Sequence, residues 1–418
     1  MATLTPRVCV VTAGHMSTCP RMLKAADALH GAGFDVRVVS ASHTPWAVDA
    51  DKALRATRQW RWDVVDYARA TARVRQLVTG ARRRIAHTIT VKLGASRVPA
   101  SVFVRSYSRA HDELVRAAAA EPADLIYGGT TGALAAVGEA AGRLGIPYGL
   151  DLEDFHTGER SAQVGQFGVI AERVERHVLP GAAFLTTSSP MIADAYADKY
   201  GRRPRVIHNT FSLDLPEPAE SLEGMPLKFY WFSQTLGPGR GLEDFIRAAG
   251  FAKLTGELHL RAGTKQPYLH ELLRFARDAA PTLSLRLLDP AGPDAMVHLA
   301  HGYDLGLSGE EPSVINRRLC LGNKIFTYLA AGVPVLLSAT PAQTLLGREL
   351  GPAGIVYEPG DVAGLAERLA CLVRDARLRV QARMAARAAA VRRWHWEHPD
   401  DRGALVDAVR AALPDGAR

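Results

Sequence analysis

The sequence predicts an α/β protein built from two doubly wound domains. Three observations carry that expectation. Short β-branched apolar runs alternate with segments of helical period along almost the whole chain. One stretch rich in Pro and acids, 213–226, breaks the alternation near its middle. The 418 residues also exceed what one core of ordinary size holds.

The elements follow in order. Residues 7–13 (RVCVVTA) form a buried strand that ends at Gly14. A helix follows from Pro20, with Met22, Ala25, Ala26 and Leu29 on one face and Gly31 and Gly33 at its end. Residues 35–40 (DVRVVS) are the second strand, completing a βαβ opening. The pattern recurs with strands at 124–127, 147–150, 183–188 and 205–208, an Ala-rich helix at 131–144 and another running through Tyr200. Such alternation implies a parallel sheet covered on both faces. After the break, strands are expected at 228–233, 258–262, 283–287, 305–308, 334–338 and 354–357, with helices at 241–254, 362–389 and 394–413. The resulting division is a first domain over 1–212, a linker over 213–226, a second domain over 227–393 and a closing segment over 394–418. Two such sheets facing a central cleft can hold one substrate each, because ligands bind beyond the carboxyl ends of the strands.

Composition narrows the class. Hydrophobic residues make up 47% and charged residues 22%, as in globular proteins. No apolar run approaches the roughly 18 residues that span a bilayer. The N-terminus has no long apolar leader core. Cys9, Cys19, Cys320 and Cys371 are scattered, which argues against a zinc site or a disulfide framework and fits a reducing cytosol. The net charge of +8 is concentrated: residues 42–111 hold 14 Lys/Arg against 4 Asp. Trp46, Trp60 and Trp62 lie among these arginines. A nucleic-acid patch, an anionic membrane surface, an anionic substrate and a solvated helical face are all open readings. No nucleic-acid motif accompanies the charge, so the functional readings preferred are peripheral contact of the 52–109 segment with a membrane, or an anionic substrate.

Four segments carry candidate chemistry. Thr12 to Thr18 follow the first strand; Gly14 allows a tight turn, and Ser17 and Thr18 can cap the next helix, whose N-terminus favours an anion. The loop 151–156 (DLEDFH) sets three acids and His156 at a strand's carboxyl end, where an acid and a His can orient a hydroxyl or relay its proton. Residues 237–241 (GPGRG) combine close backbone approach with Arg240, which can grip phosphate. The richest segment is 310–335 (EEPSVINRRLCLGNKIFTYLAAGVPV): Glu310 and Glu311 follow a strand, Asn323 can cap a helix, and Lys324 can neutralise phosphate. This crowding suggests a pocket for something phosphorylated. Arg317 and Arg318 are expected to be surface charges. The triplet Asp49-Ala50-Asp51 matches a metal–nucleotide DxD motif by chance, and His208-Asn209 is a strand exit.

At this point the chain resembles the GT-B glycosyltransferases, specifically the retaining family-4-like group. The residues that carry the resemblance are GHMSTCPRMLKAADALHGAGFDV, LDLEDF, VIHN, FSQTLGPGRGLEDFIRAA and GNKIFTYLAAGVPVL, spread over nearly the whole chain. The resemblance implies a GT-B fold whose final helix crosses back to the first domain. It implies transfer of a sugar from a nucleotide donor, UDP or GDP, to a hydroxyl, thiol or anionic acceptor with retention. No cofactor, enzymic nucleophile or metal is expected, because the leaving phosphate helps to deprotonate the acceptor. It assigns Gly14, Gly239, Arg240, Lys265, Glu311, Asn323, Lys324 and Thr327 to the donor, and catalytic roles to Glu310, Asp154, His15 and His156. Two positions depart from the family pattern. Leu319 and Thr327 stand where its usual pair of glutamates falls, and Gln234 replaces a basic diphosphate ligand, for which Lys324 or Lys265 can compensate. The expected setting is the cytoplasm, peripherally at the inner membrane face; a homo-oligomer is left open and no nucleic-acid partner is expected. The alternatives are an inactive GT-B module that binds sugar or protein, and a basic nucleic-acid-binding protein.

Overall fold

The computed structural model describes residues 5–159, 166–213, 226–263 and 266–414. Two compact units emerge. One comprises Met1–His208, Val314–Asn316 and Pro399–Arg418; the other comprises Asn209–Ser313 and Arg317–His398. Both are α/β and each is built on one all-parallel sheet. The expected linker falls mostly at 214–225, outside the described residues.

The first sheet contains β1 (Arg7–Thr12), β2 (Asp35–Ser42), β3 (Arg61–Asp66), β4 (Leu125–Gly129), β5 (Tyr148–Leu152), β6 (Phe184–Thr187) and β7 (Arg205–Val206). Their order is β3-β2-β1-β4-β5-β6-β7. The second contains β8 (Leu227–Thr235), β9 (Gly256–Gly263), β10 (Leu283–Leu288), β11 (Leu305–Ser308), β12 (Val335–Ser338) and β13 (Gly354–Tyr357), in the order β10-β9-β8-β11-β12-β13. Both orders reverse direction beside the first strand of their sheet. In an open parallel sheet that reversal opens a crevice at the carboxyl ends of the two central strands. The crevices therefore fall beyond β1 and β4 in one unit and beyond β8 and β11 in the other.

The central strands are legible because they are buried on both faces: Val8 to Val11 and Leu305 to Leu307 are apolar and covered. The basic stretch behaves differently, and it is regular structure rather than a loop. After α1 (Pro20–Gly31) and β2 come α2 (Pro45–Thr57), β3, α3 (Arg73–Leu93), α4 (Ala100–Tyr107) and α5 (His111–Ala118). Strand β3 escapes notice because it is an edge strand with Arg61, Asp63 and Val64 exposed. Trp60 and Trp62 are buried, and their indole N–H groups donate to Asp27 Oδ1 and Ser40 Oγ at 2.8 Å. They are core residues and offer no faces for bases to stack on. The helix expected over 362–389 is two helices, Val362–Arg374 and Ala376–Arg392, because Asp375 caps the second one through the N–H groups of Arg377 and Leu378.

A buried ion pair ties the first unit together. Arg21 of α1 meets Asp151 of β5 through two contacts, Nε to Oδ2 at 2.6 Å and Nη2 to Oδ1 at 2.7 Å. Arg21 Nη1 also donates to Ile207 O at 2.6 Å, and Thr186 Oγ1 to Asp151 Oδ1 at 2.5 Å. Helix, two strands and the β7 exit thus share one charge network. The C-terminal segment docks on the same edge: His208 N donates to Asp401 Oδ1 at 2.8 Å, and Arg205 Nη1 to Ala404 O at 3.1 Å. The final helix Ala404–Ala412 therefore belongs to the first unit, while Trp394 and Trp396 stay with the second, where Trp394 lies 5.3 Å from the Phe326 ring.

Removing one partner from such a pair strands the other charge, at a cost of about 3–5 kcal/mol. Asp151→Asn is expected to lower the unfolding free energy by that amount in denaturant melts, and Arg21→Met/Asp151→Leu to recover most of it. A loss below about 1 kcal/mol for the single variant would contradict the assignment.

Candidate active site

The crevice of the second unit is formed by the loops after β8 and β11. Gly239 and Gly241 both adopt positive φ, +74° and +70°. A Cβ on Gly241 would lie 2.6 Å from the Tyr357 hydroxyl and 2.8 Å from Gly309 Cα. Only glycine lets the two loops touch there, and that contact brings Arg240 to Glu310. Arg240 Nη1 lies 3.0 and 3.1 Å from the two Glu310 carboxylate oxygens. Lys324 Nζ reaches Glu310 Oε1 at 3.4 Å, and Arg317 Nε stands 3.8 Å from Oε2. Arg317 Nη1 also donates to Gly239 O at 3.2 Å. Three cations thus share one nearly buried carboxylate. Burial pushes the Lys324 ammonium down from its usual value; Glu310 pulls it up and Arg240 pushes it down further. Its Nζ lies 6.0 Å from the centre of the buried Trp231 ring.

Lys324 is the second residue of the helix Asn323–Ala330. The cap position is Gly322, in extended backbone, and no side chain caps the helix. The cap expected of Asn323 is corrected accordingly: Asn323 is already the first helical residue. An uncapped N-terminus one residue from Lys324 concentrates N–H donors and positive potential on the Glu310 side. Thr327, three residues after Lys324 on the same helix, is fully buried, and its hydroxyl donates to Asn323 O at 3.0 Å. Glu311 is exposed, with its backbone N–H donating to Gly239 O at 3.3 Å. Lys265 lies outside the described residues. Arg317, expected to be a surface charge, belongs to the cluster; its partner Gly239 is 78 residues away, beyond any local pattern.

The crevice of the first unit holds His15 and Gly14 after β1. His15 is buried, and both ring nitrogens are engaged. Nε2 accepts from the N–H groups of His43 at 3.0 Å and Thr44 at 2.9 Å. Nδ1 must then carry the proton, which it donates to Asp51 Oδ2 at 2.6 Å. Asp51 Oδ1 accepts from Ser17 N at 2.9 Å. The second acid of the Asp49-Ala50-Asp51 triplet therefore holds the loop. Gly14 is open, its nearest neighbour to an added Cβ being Thr18 Oγ1 at 3.7 Å.

Four residues of this crevice escaped sequence reasoning. His43 stacks on Tyr67 with centroids 5.2 Å apart and planes within 3°, and the Arg109 guanidinium carbon lies 5.3 Å from the Tyr67 ring centre. Thr130, directly after β4, has φ +74°, a strained conformation for a β-branched residue. Its hydroxyl accepts from Ala13 N at 3.1 Å, which ties the loop after β4 to the loop after β1 at the switch point.

The loop after β5 is equally tied down. Asp154 Oδ1 accepts from Asn316 Nδ2 at 2.8 Å, and Asn316 Oδ1 accepts from Phe155 N at 2.8 Å. His156 is buried, with Nδ1 3.3 Å from Glu175 Oε1. Glu175 has no exposure and accepts from the hydroxyls of Tyr196 at 2.6 Å and Tyr200 at 2.5 Å. Burial pushes the imidazolium down, but Glu175, with Glu159 and Asp154 behind it, outweighs burial and holds His156 up at about 9. Nearby on α1, burial and Arg21 push Lys24 down to about 7 against the pull of Asp401, Glu153 and Asp151.

Residues 20–210 match the model of the glycosyl transferase 4-like domain. No curated protein matches the chain in sequence. Solved structures of similar fold cover nearly its whole length. HepE from Anabaena, in complex with UDP and glucose, has a TM-score of 0.68 at 16% identity, with 97% of this chain and 98% of that chain covered. A glycosyltransferase from Rickettsia africae gives 0.63 at 11%, covering 98% and 97%. A point variant of S. aureus TarM, with UDP among its ligands, gives 0.64 at 8%, covering 98% and 99%. At these identities the likeness is one of fold, and the fold is GT-B. Residues 20–210 thus carry the likeness to the glycosyl transferase 4-like domain, and the chain as a whole has the GT-B fold.

The His156 environment generates a pH prediction. Its folded value of about 9 lies above the usual 6.5, so its contribution to stability is complete below pH 6.5 and is lost as pH rises through 9. The melting temperature is expected to fall between pH 7 and 9, and His156→Asn to flatten that fall. An unchanged slope in the variant would show that the His156–Glu175 pair is not charged.

Proposed function

We propose that the chain transfers a sugar from a nucleotide-sugar to an acceptor hydroxyl or thiol, with the donor diphosphate bound at Arg240 and Lys324. The observation that carries this reading is the convergence of Arg240, Lys324 and Arg317 on Glu310 beside an uncapped helix N-terminus. Cations that gather around one carboxylate at a sheet's switch point form a site built for a larger anion. UDP is the preferred nucleotide, because the HepE and TarM complexes of the same fold contain it. GDP is the alternative.

The chemistry follows from charge. As the glycosidic bond breaks, negative charge grows on the diphosphate, and positioned cations stabilise that charge more than they stabilise the bound donor. Arg240 contributes a planar fork and Lys324 a point charge held in a poorly solvated place. Binding a diphosphate draws both away from Glu310, whose carboxylate is then free to accept hydrogen bonds from donor-sugar hydroxyls. Retention follows when the departing phosphate takes the acceptor proton on the same face. His15 and Asp154 act in this scheme by shaping the acceptor loops, since their polar atoms are committed to Asp51 and Asn316. The ring pair His43–Tyr67 offers the acceptor a flat apolar surface beside Arg109.

Titration calorimetry with UDP tests the assignment. Arg240→Ala and Lys324→Ala are each expected to weaken binding at least tenfold; unchanged affinity would refute the phosphate site. Glu310→Gln removes the competing anion and is expected to keep or tighten UDP binding while turnover falls at least tenfold. Nucleotide release assayed over UDP-, GDP-, ADP- and TDP-sugars separates transfer from mere binding: tight UDP binding without release in any combination would mark a binding module.

A further inference from the structure

Helix α3 presents its apolar side to solvent. The buried face is narrow and made of small residues, Thr79, Ala86 and Thr90. On the opposite face Val74, Leu77, Val78, Ala81, Ile85 and Ile89 follow helical spacing over four turns. All six are exposed, the large ones ranging from 37% at Ile89 to 76% at Val74. From Val74 to Ile89 the stripe runs about 22 Å at 1.5 Å per residue. A soluble helix normally turns such a stripe inward, and a contiguous exposed one marks an interaction surface.

Charge identifies the occupant. The 21 residues of α3 include Arg73, Arg75, Arg82, Arg83, Arg84 and Lys92 and no acid. On a helical wheel Arg73 and Arg84 flank one edge of the stripe, and Arg75 and Arg82 the other. Arg82 is neutralised by Asp112 and Glu113. Arg73, Arg84 and Lys92 form no ion pair among the described residues. We propose that α3 lies on an anionic membrane surface, its apolar stripe in the headgroup–acyl boundary and its free cations among the lipid phosphates. A second copy of the chain fits poorly, because pairing α3 with itself would oppose cation to cation. Nucleic acid fits poorly as well, because six apolar side chains would face its phosphates and α3 carries no Phe, Tyr or Trp to stack on bases. No helix among the described residues is long and apolar enough to cross a membrane, so the contact is peripheral. This inference localises to one helix the membrane contact expected of the basic 52–109 segment, and it is independent of the catalytic reading.

Flotation of the full chain with vesicles tests it. Vesicles of phosphatidylcholine with about one-third phosphatidylglycerol are expected to bind at least tenfold more tightly than phosphatidylcholine alone, with affinity falling as salt rises. Leu77→Asn/Ile85→Asn is expected to lower binding at least tenfold, and Arg73→Gln/Arg84→Gln about tenfold. These side chains are exposed, so unchanged thermal melts will show that the variants fold. Absent binding, equal binding to neutral vesicles, or variants that bind like the parent would overturn the proposal. So would a concentration-dependent dimer in sedimentation that Leu77→Asn/Ile85→Asn abolishes, because the stripe would then be covered by a second copy.

Discussion

The site of the second unit depends on one shared carboxylate. Arg240, Lys324 and Arg317 come from three separate segments, and their mutual repulsion would drive them apart without Glu310 among them. At contact distances like charges repel by about 1 kcal/mol in water and by several in a partly buried place. Glu310 removes that repulsion and holds the guanidinium and ammonium close together. In the proposed transfer a diphosphate replaces Glu310 as the partner of these cations, which are already gathered before charge develops on it. The geometry of the cluster rests on Gly241 and Gly309, since the loops after β8 and β11 could not otherwise approach.

The first unit applies the same logic of charge balance to a different end. Asp151 is held by Arg21, Asp51 by His15 and the Ser17 N–H, Asp154 by Asn316, and Glu175 by His156 and two tyrosines. Carboxylates that look reactive in the sequence thereby fix the loops at the carboxyl edge of the sheet. A base that must take a proton needs an unengaged lone pair, and His15 has none. What the first unit supplies is then a rigid, shaped rim, including a strained Thr130 that the neighbouring loop holds in place.

How far the sequence could reveal this varies with the range of the interaction. Central strands were legible because burial on both faces makes them uniformly apolar, and GPGRG was legible because a glycine cluster after a strand has few other uses. Glu310 and Lys324 were legible as charges at strand and helix ends. Edge strand β3 was not, because one exposed face mixes Arg and Asp into its pattern. Nor was the difference between a free histidine and a committed one: Asp51 lies 36 residues from His15, and nothing local signals that contact. Thr327 could be placed on its helix, but its burial could not be read, because the packing around the helix Asn323–Ala330 comes from residues distant in sequence. Asn323 was one residue from the cap because Gly322 has the extended backbone a cap needs without the side chain that advertises it.

The arginines show why pairing, rather than number, separates structure from recognition. Most of those in the first unit are spent internally: Arg7 on Asp124, Arg37 on Asp63, Arg58 on Asp27, Arg61 on Glu121, Arg82 on Glu113 and Arg105 on Asp112. Four of these arginines, Arg58, Arg61, Arg82 and Arg105, lie in the basic 42–111 stretch, and their pairs are ordinary surface and edge chemistry, each worth little by itself. Arg73, Arg84 and Lys92 of α3 are left over, and they flank the same helix whose apolar residues face outward. A solvated helical face would show either the charge without the apolar stripe or pairs that neutralise it. Exposed apolar area costs free energy in water, at about 25 cal/mol per Å². Unpaired charge beside it gains nothing until a counter-charge arrives. Both terms point to a surface that is apolar inside and anionic outside, as the boundary of an acidic bilayer is.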